Sequence, residues 1–337
     1  RTGILPAIKV NGKRTQERLR KFWSNWADNI DCDFDERKTF AGIQRLAFRS
    51  MLESGESFTR KTYDNEKGLQ LQVLESDHLD RSKHLGVPNT KGNTVRYGIE
   101  YKPNGKRAGY WLYEHHPGEL GLHFKVNSVF VPADQIIHLF MEDRPGQLLG
   151  VPHGTSAMLR VKDLDDYEET ELTRQKVAAC FSVFITSMDN GAPTISSDGV
   201  ALEQVEPGLI ERLRPGEQVQ FAAPPGTDGY NEHTKRVLQG ISAGYDMPYE
   251  SMSGDLSNVN FSSGRMGKMD FQNLVEEWQE LLMIPLFCKT VFKWFLEYAK
   301  IYGMVTEKDV VECTWTAPAR EFIDPLKEVK ALVEKVR

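Results

Sequence analysis

The sequence is short of the residues and patterns that build chemistry. Only four cysteines occur in 337 residues, Cys32, Cys180, Cys288 and Cys313, with no C-x-x-C pair and no neighbouring histidine. That excludes a zinc ribbon and a disulfide framework, and reduced, mostly buried thiols are expected instead. No G-x-x-x-x-G-K-[ST] string is present, because Gly146-Gln147-Leu148-Leu149-Gly150-Val151-Pro152 lacks the lysine that reaches a phosphate. A P-loop ATPase is thereby excluded. The most apolar run, Leu281 to Leu296, is interrupted by Pro285, Lys289 and Lys293. It falls short of the roughly 20 apolar residues of a membrane span and reads as a buried helix. The opening Arg1-Thr2-Gly3-Ile4-Leu5-Pro6 has no apolar stretch of signal-peptide length and no initiator methionine, which reads as the ordered part of a longer, cytosol-made chain. Excess positive charge is also missing. Lys and Arg total 42 against 48 Asp and Glu, a net charge of −6, which argues against gripping nucleic acid by bulk positive charge.

What is present is ordinary globular material, enough for about two domains at roughly 150 residues each. Apolar residues recur at helical spacing from Thr15 to Ile30 (Leu19, Phe22, Trp23, Trp26) and from Lys38 to Ser54 (Phe40, Ile43, Leu46, Ala47, Met51), and Gly55 supplies a stop. Glu56 to Tyr63 and Leu69 to Glu75 alternate around Asp64-Asn65-Glu66-Lys67-Gly68 as a β-hairpin. A second hairpin around Pro103-Asn104-Gly105 joins Val95 to Tyr101 with Tyr110 to Glu114, and Phe130 to Phe140 adds a strand-like stretch. The first 140 or so residues therefore read as an α+β unit.

Thr155 to Met188 holds no Gly or Pro and reads as one helix of roughly 50 Å at 1.5 Å per residue. Its first half carries Asp163, Asp165, Asp166, Glu168, Glu169 and Glu171, and its second half is apolar. Asp189 to Tyr230 is punctuated by Pro207-Gly208, Pro215-Gly216 and Pro224-Pro225-Gly226 around a β-prone run at Gln218 to Ala222, the pattern of a small β-rich insertion. Asn231 to Ala243 returns to helical spacing and ends before Pro248. A Gly/Ser/Asn-rich loop spans Ser251 to Gly264, and Arg265 to Tyr302 reads as a very long helix kinked at Pro285. Lys327 to Arg337 begins a further helix.

Few strings carry chemistry. Gly240-Ile241-Ser242-Ala243-Gly244 matches the G-x-S-x-G nucleophile elbow of serine hydrolases, but an elbow needs a strand before it and His233 to Gln239 reads as helix. Helix packing through small residues is the better account. The acidic run from Asp163 to Glu171 spreads around several helix faces without a calcium-type loop, so a solvated face is expected and no metal. His115, His116 and His153 have no i,i+4 partner histidine and sit beside turn residues, as loop histidines do. The aromatics fall mostly at helical spacing and suit a core rather than a base-stacking platform. Asn258, Asn260, Ser262, Ser263 and Arg265 form an exposed-looking polar cluster whose amides, hydroxyls and guanidinium suit phosphate oxygens.

Several separated strings together resemble one family, the lambda-type portal proteins of tailed bacteriophages. Asp143-Arg144-Pro145-Gly146-Gln147 with Gly150-Val151-Pro152, and Lys176-Val177-Ala178-Ala179-Cys180-Phe181, are similar to its segments before and within a long helix. Pro207-Gly208 and Leu213-Arg214-Pro215-Gly216-Glu217 resemble its paired turns. Pro248-Tyr249-Glu250, Gly254-Asp255-Leu256-Ser257, Asn260-Phe261-Ser262-Ser263-Gly264-Arg265, then Trp315, Pro318 and Asp324-Pro325-Leu326-Lys327-Glu328 follow in family order. The chain departs from the pattern at Phe261 (usually tyrosine), Gly264 (commonly alanine) and Asp246 (often glycine).

The resemblance implies a non-enzymatic, cofactor-free subunit of a ring, a dodecamer in expectation, at one capsid vertex, through which double-stranded DNA is packaged and ejected. Its implied partners are the terminase large subunit, a head-tail connector or adaptor and the major capsid protein, in the virion and, during assembly, in the host cytoplasm. Residues 1–154 would be the wing, 155–189 the first stem helix, 190–230 the clip and 231–250 the second stem helix. Residues 251–264 would be a tunnel loop facing DNA, 265–326 the inner wing helix and return segment, and 327–337 the start of a crown-side segment. The Asp163 to Glu171 carboxylates are expected to repel the duplex while Asn258, Asn260, Ser262, Ser263 and Arg265 touch it lightly. Assembly would cover an apolar surface along Val177 to Ile185. Two rivals remain: a serine hydrolase using Ser242 and a membrane-associated pore built on Leu281 to Leu296.

Overall fold

The computed structural model describes residues 3–118, 127–179, 183–187, 217–221, 229–257, 259–318 and 333–334, without the side chains of 177–179, 183–187, 217–221 and 261–263. Strand β1 (Leu5–Val10) leads into α1 (Lys13–Ala27), whose Leu19, Trp23, Trp26 and Ala27 recur on one face and are buried. Helix α2 (Phe40–Ser54) buries Phe40, Ile43, Ala47 and Met51 and ends at Gly55, whose φ of 87° is left-handed. Both helices stand where the periodicity places them. Strands β2 (Glu56–Asp64) and β3 (Gly68–Glu75) pair antiparallel. In their loop the Asp64 carboxylate accepts N–H bonds from Glu66 (2.8 Å) and Lys67 (2.9 Å), which fixes the turn.

The next strands correct two expectations. Val95 to Tyr101 is two strands, β4 (Thr94–Arg96) and β5 (Ile99–Tyr101), folded back through Tyr97 (φ 50°) and Gly98 (φ 81°). With φ positive at both central positions this is a type I′-like hairpin turn, and Gly98 was the available signal. After β6 (Arg107–Tyr113), Phe130 to Phe140 also divides, at a 3-10 turn over Ala133–Gln135, into β7 (Ser128–Pro132) and β8 (Ile136–Phe140). These halves join different sheets, of order β3-β2-β8 and β4-β5-β6-β7.

The expected 34-residue helix is shorter. Helix α3 (Met158–Ala179) spans 22 residues, and the chain reappears as strand β9 (Val183–Ser187), paired antiparallel with β10 (Glu217–Phe221). The absence of Gly and Pro permits a helix without requiring one. Val183-Phe184-Ile185-Thr186 is β-branched and aromatic, and a partner strand decides such a run in favour of sheet. The β-prone stretch at Gln218 to Ala222 is β10, while the rest of 190–228 lies outside the described residues.

Helices α4 (Tyr230–Gly244), α5 (Tyr249–Ser253) and α6 (Phe261–Glu277) follow. Helix α6 runs through a π-helical stretch, Trp278–Cys288, into α7 (Lys289–Ile301). Pro285 sits inside that stretch, so its disturbance takes the form of wide turns, which relieve the clash of its ring with the i−4 carbonyl. Strand β11 (Val311–Thr316) returns to pair with β1. Of the helix expected over Lys327 to Arg337, only Val333 and Glu334 lie among the described residues, and they are helical.

Two cores hold this together. The larger packs α1, α2, the π-helical stretch and α7 against the inner face of the three-stranded sheet through Leu69, Leu71, Ile137 and Leu139. Trp23 is its hub, with ring centroids 5.2 Å from Trp26, 5.4 Å from Phe40 and 4.8 Å from Phe295. Buried indoles need acceptors: Trp26 donates to Leu69 O at 2.7 Å and Trp294 to Asp134 O at 2.9 Å. The helical aromatics Trp23, Trp26, Phe40, Phe287, Phe292, Trp294 and Phe295 are core, as their spacing suggests. The smaller core joins the two sheets through Phe58, Ile136, Ile99, Tyr110, Leu112 and Val131. Met283, Ile284, Phe287, Phe292 and Phe295 are buried in the larger core, and no helix among the described residues is long and apolar enough to cross a membrane. The pore rival thereby loses its segment.

Candidate nucleic-acid interface

Helices α3 and α4 form an antiparallel pair beside the α+β unit. Near their base, Ala157 lies against Gly244 and Arg160 against Gly240, where an added Cβ would fall 2.8 Å from Ala157 Cβ and 1.9 Å from the Arg160 guanidinium. Farther along, Tyr167 stacks on Tyr230 at 5.8 Å. Gly244 of the G-x-S-x-G string thus serves close helix approach against Ala157, while Gly240 faces the flexible end of Arg160. Ser242 lies inside α4, 2% exposed, and its hydroxyl donates to Gln239 O at 2.9 Å. Helix rather than strand leads into Ser242, so the strand-to-helix turn of a nucleophile elbow is not formed there.

The acidic residues sit on α3 as expected, with one exception. Asp163, Asp165, Asp166, Glu168 and Glu169 are exposed and enter no ion pair among the described residues. Glu171 is 9% exposed and gripped by Arg174 through two short bonds, 2.8 and 2.6 Å. Those bonds hold its carboxyl below the usual carboxylate range, so it is not a free charge. No cluster of metal-ligating side chains occurs among the described residues. Met158, Leu159, Val161 and Leu172 of α3 are exposed large apolar residues, Leu159 by 76%. The side chains of Val177 to Ile185 lie outside the description.

The polar loop is shorter than expected, because Tyr249–Ser253 is helical and α6 begins at Phe261. Asn258 lies outside the described residues. Asn260 is exposed, and its carbonyl accepts the Gly264 N–H at 3.0 Å. Ser262 and Ser263 fall in the first turn of α6 with undescribed side chains, and Arg265 is half-buried one turn on. Two departures from the family pattern have local causes. An added Cβ at Gly264 would meet Val259 Cγ1 at 2.7 Å, so the alanine common there would not fit beside Val259. Asp246 has φ 53°, the left-handed region where glycine is at ease and Asp is tolerated.

The sequence reading missed two groups of residues. Asp255 accepts from Ser257 N (3.0 Å), Ser257 Oγ (2.6 Å) and Tyr249 Oη (3.2 Å), and lies 3.6 Å from Lys235 Nζ. The D-x-S spacing of Asp255-Leu256-Ser257 was the available signal. The second group is a buried carboxylate at the foot of the helix pair. Glu56, fully buried, accepts from His138 Nε2 (2.7 Å), Arg81 (2.8 Å) and Gly150 N (3.2 Å). Gly150 itself touches Gly55, with an added Cβ falling 1.9 Å from Gly55 O. His153, the one singled-out histidine at this joint, bonds Tyr245 O at 3.1 Å and stands edge-on to Trp278. His116 lies 3.5 Å from Glu75.

The chain is similar to portal proteins of phages and, in fold, to chains of gene transfer agent particles. The chain is 25% identical to a probable portal protein of Halomonas phage phiHAP-1, covering 96% of this chain and 66% of that one. It is 22% identical to portal protein B of Escherichia phage lambda, covering 92% and 66%. It therefore spans just under two thirds of the length of these relatives. Among solved structures, a chain in the neck of an empty gene transfer agent particle shares its fold with a TM-score of 0.53 at 11% identity, covering 92% of this chain and 76% of that one. A chain of the native gene transfer agent virion gives 0.51 at 12% identity, covering 96% and 84%. Residues 1–279 match the family described as phage portal protein, lambda family, and the chain belongs to that family.

Proposed function

We propose that this chain is one subunit of a ring at a single capsid vertex of a tailed phage, through which double-stranded DNA is packaged and later ejected. The family membership carries this reading, and the exposed α3–α4 pair supports it. Residues 1–154 act as wing, 155–189 and 231–250 as the two strokes of the stem, 190–230 as clip, 251–264 as tunnel loop and 265–326 as inner wing. Exposed Met158, Leu159, Val161 and Leu172 gain cover from neighbouring copies, since head-to-tail contacts that close a ring need two different complementary faces on each subunit. The ring is a dodecamer that docks the terminase large subunit, which supplies the energy, and a head-tail connector, and is held by the major capsid protein.

An acidic conduit suits DNA that must move. Each phosphate neutralised by Lys or Arg releases counterions and strengthens binding, so a basic bore would stall the duplex. The five unpaired carboxylates of α3 repel it, and the loop carrying Asn258, Asn260, Ser262, Ser263 and Arg265 touches it lightly. Electron micrographs of the purified protein are expected to show annuli with a bore wide enough for B-form DNA; solitary globules would refute the reading. Replacing Asp163, Asp165, Asp166, Glu168 and Glu169 by their amides should slow ejection, and unchanged packaging and ejection would remove the repulsion.

A further inference from the structure

We infer that Lys235 and Asp255 form a latch that fixes the 254–260 loop to α4, so that the position of α4 sets where the loop meets DNA. The inference rests on the loop being the DNA-facing segment. Asp255 stands at the start of the loop, directly after Gly254, whose φ of 71° turns the chain out of α5. One carboxylate oxygen takes both donors of Ser257, which shapes the loop itself. The other takes Tyr249 Oη from α5 and faces Lys235 Nζ from α4. The Lys235 ammonium also lies 5.5 Å from the centre of the Tyr249 ring, so one cation ties together the loop, α5 and α4. The far end of the loop is pinned separately, by Val259 closing over Gly264 of α6.

The loop is therefore strung between two helices of different attachment. Helix α6 continues through the π-helical stretch into the buried wing core, whereas α4 is half of the exposed pair. A displacement of the helix pair relative to the wing passes to the near end of the loop through Lys235 and Asp255. Lys235 is accordingly a positioning residue, acting through Asp255 without touching DNA. The Ser257 donors, then the Tyr249 hydroxyl and last Lys235, hold the Asp255 carboxyl down at about 2, so its charge is present across the pH range in which assembled particles are handled.

The test is hydrogen exchange of assembled rings carrying Lys235→Met, Lys235→Arg or Asp255→Asn. Asp255→Asn keeps an acceptor for Ser257 but puts an N–H donor group in place of the oxygen that takes Tyr249 Oη and faces Lys235, whereas Lys235→Met removes the cation alone. Exchange over 254–260 should quicken by roughly threefold in Lys235→Met and Asp255→Asn, the scale of a half-exposed ion pair, and stay at the wild-type rate in Lys235→Arg. Raising salt should bring the wild type toward Lys235→Met by screening. Loop exchange unchanged in Lys235→Met, or quickened equally throughout α4, would overturn the latch, since the pair would then be idle or merely part of helix stability. A photo-crosslinker at Leu256, which is 68% exposed, separates the two levels: no crosslink to packaged DNA in the wild type refutes the DNA-facing assignment, whatever the exchange data say about the latch.

Discussion

Replacing Glu56 by Gln tests whether the joint between the α+β unit and the helix pair depends on one buried charge. Both carboxylate oxygens are acceptors here, one facing Arg81 and the other facing His138 and Gly150 N. Glutamine keeps the shape but presents one acceptor and one N–H donor group. Whichever way the amide turns, a donor meets a donor. The cheaper orientation points the new N–H group at Arg81, because that side chain is 48% exposed and can turn to water, while His138 and Gly150 keep the oxygen. What is lost is one charge-assisted bond of about 1.5–3 kcal/mol, together with the weakening of the bonds that remain. A destabilisation of about 2–4 kcal/mol follows, which for a cooperative unit of 150–250 residues lowers the melting temperature by roughly 5–15 °C. Calorimetry on purified protein, with hydrogen exchange at the Gly150 amide as the local readout, measures both. A change under about 0.5 kcal/mol, the range of ordinary surface substitutions, would refute the assignment of Glu56 as the joint's anchor.

Gly150→Ala should cost about 1–3 kcal/mol, the usual penalty of overpacking, because the new Cβ collides with the Gly55 backbone; a wild-type melting curve would mean that the two segments part freely. Ser242→Ala should lose at most about 1 kcal/mol, for one neutral bond to Gln239 O, and should leave any ester hydrolysis by the preparation unchanged. Burial lowers the His138 pKa below its ordinary 6.5, so the folded state binds this proton less readily than the unfolded state. Stability is then greatest above pH 6.5 and declines as the pH falls below it. Melting temperatures between pH 7 and 5.5 should show that slope, and His138→Phe should flatten it.

Periodicity was sufficient for α1 and α2, because each has a single buried face with Trp23 or Ile43 at its centre. It was insufficient wherever a second partner chose between equal local options. Val183-Phe184-Ile185 would suit a buried helix as well as a strand, and the pairing of Val183–Ser187 with Glu217–Phe221 makes it a strand. Tyr97-Gly98 hides a turn inside a run that keeps alternating across it, and Ala133–Gln135 is a short turn between two β-prone runs with no glycine to mark it. The acidic residues of α3 were legible because exposure follows from charge. Glu171 was the exception, since a partner three residues on, Arg174, draws it in. Glu56 and His138 look like ordinary polar positions of alternating strands, and nothing in their spacing tells that these two face the seam between sheets. Asp255 stood in plain view within Gly254-Asp255-Leu256-Ser257, yet its second partner, Lys235, is 20 residues distant in sequence and on another helix.

The charges of α3 also say something about what this helix was selected for. Asp163 with Asp166, Asp165 with Glu168 and Glu169, Asp166 with Glu169, and Glu168 with Glu171 are like-charged at spacings of three or four. Each such pair weakens a helix by about 0.2–0.5 kcal/mol, and five of the six carboxylates have no cation drawn to them among the described residues. A helix shaped for its own stability would interleave the signs, as Glu171 and Arg174 do. These like-charged pairs lower the stability of the helix, and the proposed repulsion of DNA would give that burden a use. Amide replacement of the five should accordingly raise the thermal stability of the subunit while impairing DNA ejection. Opposite signs on stability and transport separate a charge held for DNA from one that merely keeps a surface wet, because removing the latter would leave transport untouched.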